Sequence, residues 1–227
     1  MDVPSRIGPY LILDWLGRGT TGSVYKARVE HIDRVVALKS PFTNPPEERA
    51  QRAKRFTREA HLIASLNQSA VPAVPCIFDV GEGNDGTQYY TRELIAGETL
   101  ERLVNARRIA WSDGIRILQG VANVLVAVHA IGFIHRNLHP SNILIEPTGD
   151  FKLIGFGKAM YLEYATTQGL SIAIDVQGLM TLLSWFCAAV PNPNVDALKS
   201  ARDPGFAVTV ADFASALSTW LQDAKGK

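Results

Sequence analysis

The chain has 227 residues, with 23 Lys and Arg against 22 Asp and Glu and a net charge of +1. Such a balance carries no field of one sign, which argues against nucleic acid or an anionic membrane as the partner. At 47% hydrophobic and 20% charged residues, the composition is that of a soluble globular protein, long enough for one large domain or two small lobes. Cys76 and Cys187 lie far apart with no CxxC pattern and read as reduced core residues in a reducing compartment. The opening MDVPSRIGPY shows no basic run leading into an apolar one, so a cytoplasmic location is expected.

Strands are predicted over 10–16, 23–29 and 35–40. The turn between the first two is Gly17-Arg18-Gly19-Thr20-Thr21-Gly22-Ser23-Val24. Glycine at such a turn lets backbone N–H groups approach phosphate oxygens without side-chain obstruction. Taken alone, the glycines fit an ordinary hairpin as well, and G-x-G-x-x-G is a weak pattern. A strand rather than a helix follows, and then Val36-Ala37-Leu38-Lys39, which separates this turn from a dinucleotide-binding one.

Pro45-Pro46 and Glu47-Glu48 start a helix predicted to about residue 66, with Phe56, Ala60 and Ile63 at helical spacing. Glu59 lies on it. It is either the partner of Lys39 or an ordinary solvated acid. Arg49, Arg52, Lys54, Arg55 and Arg58 make the helix basic, and this reads as a solvated face rather than a nucleic-acid surface. Two more strands are predicted over 75–80 and 88–94, joined by a Gly-rich turn. The second ends at Glu93-Leu94-Ile95, directly after Arg92. An inward guanidinium at Arg92 needs a carboxylate. Glu59 is the candidate, which would deprive Lys39 of its partner and fill the space between them. A one-residue shift of the strand would point Arg92 outward instead.

Further on, 99–105 reads as a short helix, and Ser112 and Asp113 offer a cap for an apolar helix to about residue 131. His129 on it reads as a packing residue. His135 and His139 have the spacing of a helical zinc pair, but Asn137 and Pro140 argue for a loop, and Arg136 stands where H-E-x-x-H has its glutamate; no metal site is expected. The stretch 170–190 is long enough for a bilayer. Asp175 within it and the lack of a basic flank favour a buried helix. A last helix is predicted within 203–220.

These motifs, in this order and over nearly the whole chain, resemble the bacterial Ser/Thr (Hanks-type) protein kinases. The resemblance implies an α+β, two-lobed protein-kinase-like fold. A β-rich N-lobe with one main helix would span 1–95 and a mostly helical C-lobe 96–227. It implies nucleotide contacts from Gly17, Gly19, Gly22, Val24, Ala37, Lys39 and Glu59, and hinge contacts to adenine at Glu93 and Ile95. Asn142 would match a metal ligand, and Leu144 would pack under the adenine ring. In kinases a His-Arg-Asp aspartate accepts the hydroxyl proton and an Asp-Phe-Gly aspartate holds Mg²⁺. Here the corresponding residues are His135-Arg136-Asn137 and Gly155-Phe156-Gly157. Asparagine cannot act as a base, and glycine has no side chain. His139 replaces the usual lysine, exchanging a fixed cation for a group mostly neutral near pH 7. Asp175 follows Gly155 by only 20 positions with no Ala-Pro-Glu between, so the activation segment is shortened, as are the C-terminal helices.

With Asn137, His139 and Gly155 degenerate, the resemblance implies a pseudokinase: a regulatory or scaffolding module with a protein partner, taking ATP or ADP without Mg²⁺ and holding no resident metal. Two alternatives stand beside it. One is a slow or atypical ATP-dependent Ser/Thr phosphotransferase in which Glu163 folds back as the missing acid. The other is a purely structural interaction domain indifferent to nucleotide.

Overall fold

The computed structural model describes residues 4–29, 33–42, 49–71, 73–83, 85–191 and 209–223. The chain divides into two compact units. The first is Met1–Ile95 with Gly155–Lys158, and the second is Ala96–Ile154 with Ala159–Lys227.

The first unit is built on a six-stranded antiparallel sheet in the order β1-β2-β3-β4-β6-β5. Its strands are β1 (Arg6–Ile7), β2 (Tyr10–Arg18), β3 (Gly22–Val29), β4 (Arg34–Pro41), β5 (Ile77–Glu82) and β6 (Gln88–Arg92). Period-2 alternation sends Val36 and Leu38 into an apolar cluster with Ile7, Tyr10, Ala27 and Tyr89. Ala37 and Lys39 therefore point to the opposite face. Tyr10 ties β2 to β5 by donating to Asp79 Oδ2 at 2.8 Å. Burial and the Asp79 carboxylate push its phenol up to about 12.

Helix α1 (Arg49–Gln68) is rich in Ala, Arg, Lys, Gln and Leu, and it lacks Gly and Pro, a composition of high helix propensity. It buries Phe56, Ala60, Leu62, Ile63 and Leu66, with the Phe56 ring 5.1 Å from that of Tyr90. The start predicted at 45–48 lies outside the described residues. Cys76, expected in the core, is exposed, because it precedes β5 at the sheet edge; Cys187 is buried.

The second unit centres on α3 (Trp111–Ala130), which packs against α5 (Ala173–Ala189) and α6 (Val210–Asp223). Its buried stripe includes Ile115, Leu118, Val121, Ala122, Leu125 and Val128. Gly114 sits inside this helix because the Phe186 ring occupies the space a Cβ would need. The predicted Ser112–Asp113 cap is not formed. The N-cap is Ala110, which makes no side-chain bond, and Asp113 instead pairs with Arg116 at 3.0 Å within the first turn. Thr99 caps α2 (Leu100–Asn105) by accepting from the Arg102 N–H. Two small sheets complete the unit among the described residues: β7 (Glu98–Thr99) with β9 (Ile143–Ile145) and β10 (Phe151–Leu153), and β8 (Phe133–Ile134) with β11 (Met160–Tyr161). A short helix α4 (Leu162–Thr167) follows β11.

Within the stretch 170–190, α5 is a helix with Asp175, Val176, Leu179, Leu182, Leu183 and Phe186 buried. Among the described residues, no helix is long and apolar enough to cross a membrane. Residues 192–208, where the shortened C-terminal part was expected, fall outside the described residues.

Candidate functional site

In the first unit, the Gly-rich turn joins β2 to β3, with Gly17 paired to Val24 and Arg18 to Ser23. Gly17 has φ +152°, a conformation that favours glycine. Gly22 lies so close to β4 that a Cβ would run into the Ser40 carbonyl. The turn is closed by the Gly19 N–H donating to the Gly22 carbonyl at 2.8 Å.

The register Val24↔Lys39 places the Lys39 side chain beside this turn. Its Nζ donates to both oxygens of Glu59, at 2.7 and 2.6 Å. Lysine and glutamate are 5% and 3% exposed, so the ion pair is a buried one. Two hydroxyls complete the carboxylate's shell. Thr21 Oγ1 donates to Oε2 at 2.8 Å and Tyr90 Oη to Oε1 at 3.1 Å. Burial lowers the Lys39 ammonium below its ordinary value, Glu59 opposes that shift, and the positive charge of Arg92 adds to it. Burial and the Glu59 charge push the Tyr90 phenol well above its ordinary value.

Arg92 does not take Glu59. It pairs in register with Ala37 on β4 and Ile77 on β5, and its guanidinium makes no hydrogen bond or ion pair among the described residues. Lys39 wins the carboxylate because Tyr90, two residues earlier on the same strand face, fills the approach with its hydroxyl already bonded to Glu59. The sequence reading missed Tyr90 and Thr21. Period-2 counting back from Arg92 could have found the first. Nothing local marks Thr21, which is only 2% exposed because the tip of the turn folds inward.

Beside the hinge strand, the Glu93 N–H donates to the Cys76 carbonyl at 2.8 Å, and Glu93 Oε2 accepts from the Cys76 N–H at 3.3 Å. Ile95 is buried. Gly155 has φ +89°, a backbone that strains most side chains. Gly157, in the 3₁₀ turn Phe156–Lys158, meets Thr20 and Thr21 so closely that a Cβ there would collide with the Thr20 hydroxyl.

In the second unit, the loop 135–142 is organised by one buried carboxylate. Asp175 accepts from the His135 N–H and the Arg136 N–H, each at 2.8 Å, and lies 2.8 Å from His129 Nε2. These bonds hold Arg136 at φ +62°. His129 is thus a partner of Asp175 rather than a simple packing residue. Burial alone would raise the Asp175 carboxyl. The bonds from His129 and the two amides outweigh it and bring the group below the ordinary value of 3.8.

Asn142 Nδ2 donates to the Asn137 carbonyl at 2.8 Å, and the Ile154 N–H to the Asn142 carbonyl at 2.8 Å. His139 is exposed and caps the turn Pro140–Asn142, with Nδ1 2.7 Å from Ser141 Oγ. Leu144 is half-buried on β9. Residues 135–139 are not helical, and no metal-ligating cluster occurs among the described residues.

Residues 10–177 match the protein kinase domain family. The chain belongs to the protein kinase family. It is 33% identical over 166 residues to the serine/threonine-protein kinase PknA of Mycobacterium tuberculosis, covering 70% of this chain and 37% of that protein. It is 34% identical over 162 residues to the probable serine/threonine-protein kinase PknB of Lactococcus lactis, covering 70% and 25%. It is 34% identical over 157 residues to the serine/threonine-protein kinase pkn3 of Myxococcus xanthus, covering 66% and 28%. The chain therefore spans well under half the length of these bacterial Ser/Thr kinases. Its kinase-like fold is α+β.

Because Asp175 braces the kinase catalytic loop, Asp175→Asn is expected to lower stability by about 1.5–3 kcal/mol, the worth of a hydrogen bond to a charged group. Its folded pKa lies below the unfolded one, so its contribution is full above pH 3.8 and is lost as pH falls below that value. Urea midpoints of the two proteins should differ at pH 6 and converge toward pH 3. A constant gap would contradict the assignment.

Proposed function

We propose that this domain is a pseudokinase, a regulatory or scaffolding module that binds ATP or ADP and does not transfer phosphate. One observation carries the reading. The buried Lys39–Glu59 pair is kept at 2.6 Å, while Asn137 and Gly155 supply neither a base nor a metal ligand.

The donor set fits a nucleotide better than it fits nucleotide with Mg²⁺. Lys39 and the glycine backbone suit phosphate oxygens, and Arg92 adds positive charge near Lys39. Mg²⁺ requires hard oxygen donors, usually carboxylates. Gly155 has none to offer, and Asn142, whose Nδ2 donates to the Asn137 carbonyl, carries only a neutral amide oxygen.

Thermal unfolding with ATP and with ADP, each with Mg²⁺ or with EDTA, tests this. A saturable rise in Tm, equal in both conditions, is expected. At 100 times Kd the gain is about 2.7 kcal/mol, and a chain of this size shifts by about 2–4 °C per kcal/mol. No rise at millimolar nucleotide would overturn nucleotide binding and leave the structural alternative. A rise only with Mg²⁺ would overturn the metal-independent part.

A further inference from the structure

We infer that the outer face of α1 is a docking surface for an acidic protein segment; this rests on the regulatory reading above and names the partner's chemistry. Helix α1 carries Arg49, Arg52, Lys54, Arg55 and Arg58, and its one acid is Glu59. That acid is buried against Lys39 and screens nothing at the surface. Lys54 and Arg55 are exposed and Arg58 is half-buried. They neighbour one another at i,i+3 and i,i+4 spacing, where like charges repel.

Elsewhere in the chain, four surface arginines find acids. Arg28 pairs with Asp33, Arg102 and Arg108 with Glu98, and Arg116 with Asp113. Lys54, Arg55 and Arg58 have no acid within ion-pair distance among the described residues. A face with three adjoining cations and no acid of its own is suited to an outside anion.

The surroundings select the kind of anion. None of the exposed large apolar residues lies on α1, so nothing there would enter a bilayer. The helix exposes no Phe, Tyr or Trp ring for base stacking, and the net charge of +1 supplies no long-range field for a polyanion. The stripe from Lys54 to His61 is about 10 Å long at 1.5 Å per residue. That matches three or four residues of extended chain. Glu59 follows Arg58 directly, so a bound segment restrains the helix that positions the Lys39 partner. The coupling between segment and nucleotide is then reciprocal.

The test uses the whole chain and a fluorescein-labelled Glu-rich decapeptide, followed by fluorescence anisotropy at low and moderate salt. A DNA oligonucleotide and phosphatidylserine vesicles serve as competing probes. Saturable peptide binding is expected, weakened at least tenfold in Lys54→Gln/Arg55→Gln/Arg58→Gln. That variant should keep the wild-type nucleotide-induced Tm shift, which shows an intact fold. Single Lys54→Gln should give an intermediate loss. Unchanged peptide binding in the triple variant, or preference for the oligonucleotide or the vesicles, overturns the proposal. Peptide binding without any nucleotide shift would instead overturn the nucleotide reading and leave the docking face standing.

Discussion

Glu59→Ala is expected to destabilise the domain by about 3–5 kcal/mol, the range for removing one partner of a buried ion pair. The substitution strands an ammonium that is 5% exposed and already disfavoured by burial and by Arg92. It also deprives the Thr21 and Tyr90 hydroxyls of the oxygens they now bond at 2.8 and 3.1 Å. The urea midpoint should fall with little change in slope, since the unfolded surface is the same. The double variant Lys39→Met/Glu59→Leu leaves no charge behind, so its loss should be smaller than that of Glu59→Ala alone. If Glu59→Ala costs less than about 1 kcal/mol, a typical single-substitution effect, the carboxylate does not organise this site.

Phosphotransfer from Mg²⁺-ATP to a generic Ser/Thr peptide is expected at least ~10⁴-fold below the usual kinase rate of about 1–100 s⁻¹. A positioned base contributes about 10²–10⁴, and a metal on the transferring phosphate adds several kcal/mol, each ~1.4 kcal/mol being tenfold in rate. Asn137 and Gly155 remove the side chains that supply both. Single-turnover labelling with radioactive ATP measures it, with Lys39→Ala as the control for specific signal. Asn137→Asp alone should leave the rate low, because Gly155 still presents no ligand for the metal. Labelling at an ordinary kinase rate that Lys39→Ala abolishes would establish the phosphotransferase alternative and end the pseudokinase reading.

Much of the first unit was legible from residue order. The alternation of Val36, Ala37, Leu38 and Lys39 dictates which side chain faces which side of β4, and the helical spacing of Phe56, Ala60 and Ile63 marks the core face of α1. Glu59 could be paired with Lys39 on those periods together with the resemblance. Boundaries were less legible. The cap at Ser112 and Asp113 looked sound locally, yet Asp113 found Arg116 one turn on and the helix began a residue earlier. Side-chain oxygens near a helix start have several partners at similar distance, and composition does not rank them.

By itself, then, the sequence determined the family, the order of β2 to β6 and α1 in the first unit, and the identities of Asn137 and Gly155, neither of which carries a carboxylate. These are local or periodic properties, readable one residue or one repeat at a time. Only the tertiary structure decided who holds Glu59. Arg92, Tyr90, Thr21 and Lys39 come from two strands and a turn, and each carries a donor that could bond a carboxylate. The outcome depended on reach. Tyr90 and Lys39 face each other in the β4–β6 register, and the turn at Thr21 folds far enough inward to bond. The Arg92 guanidinium, with a longer stem and a strand end beneath it, gains no bond there. Competition among donors for one buried carboxylate is settled by distances between elements far apart in the chain, and those exist only once the fold has formed.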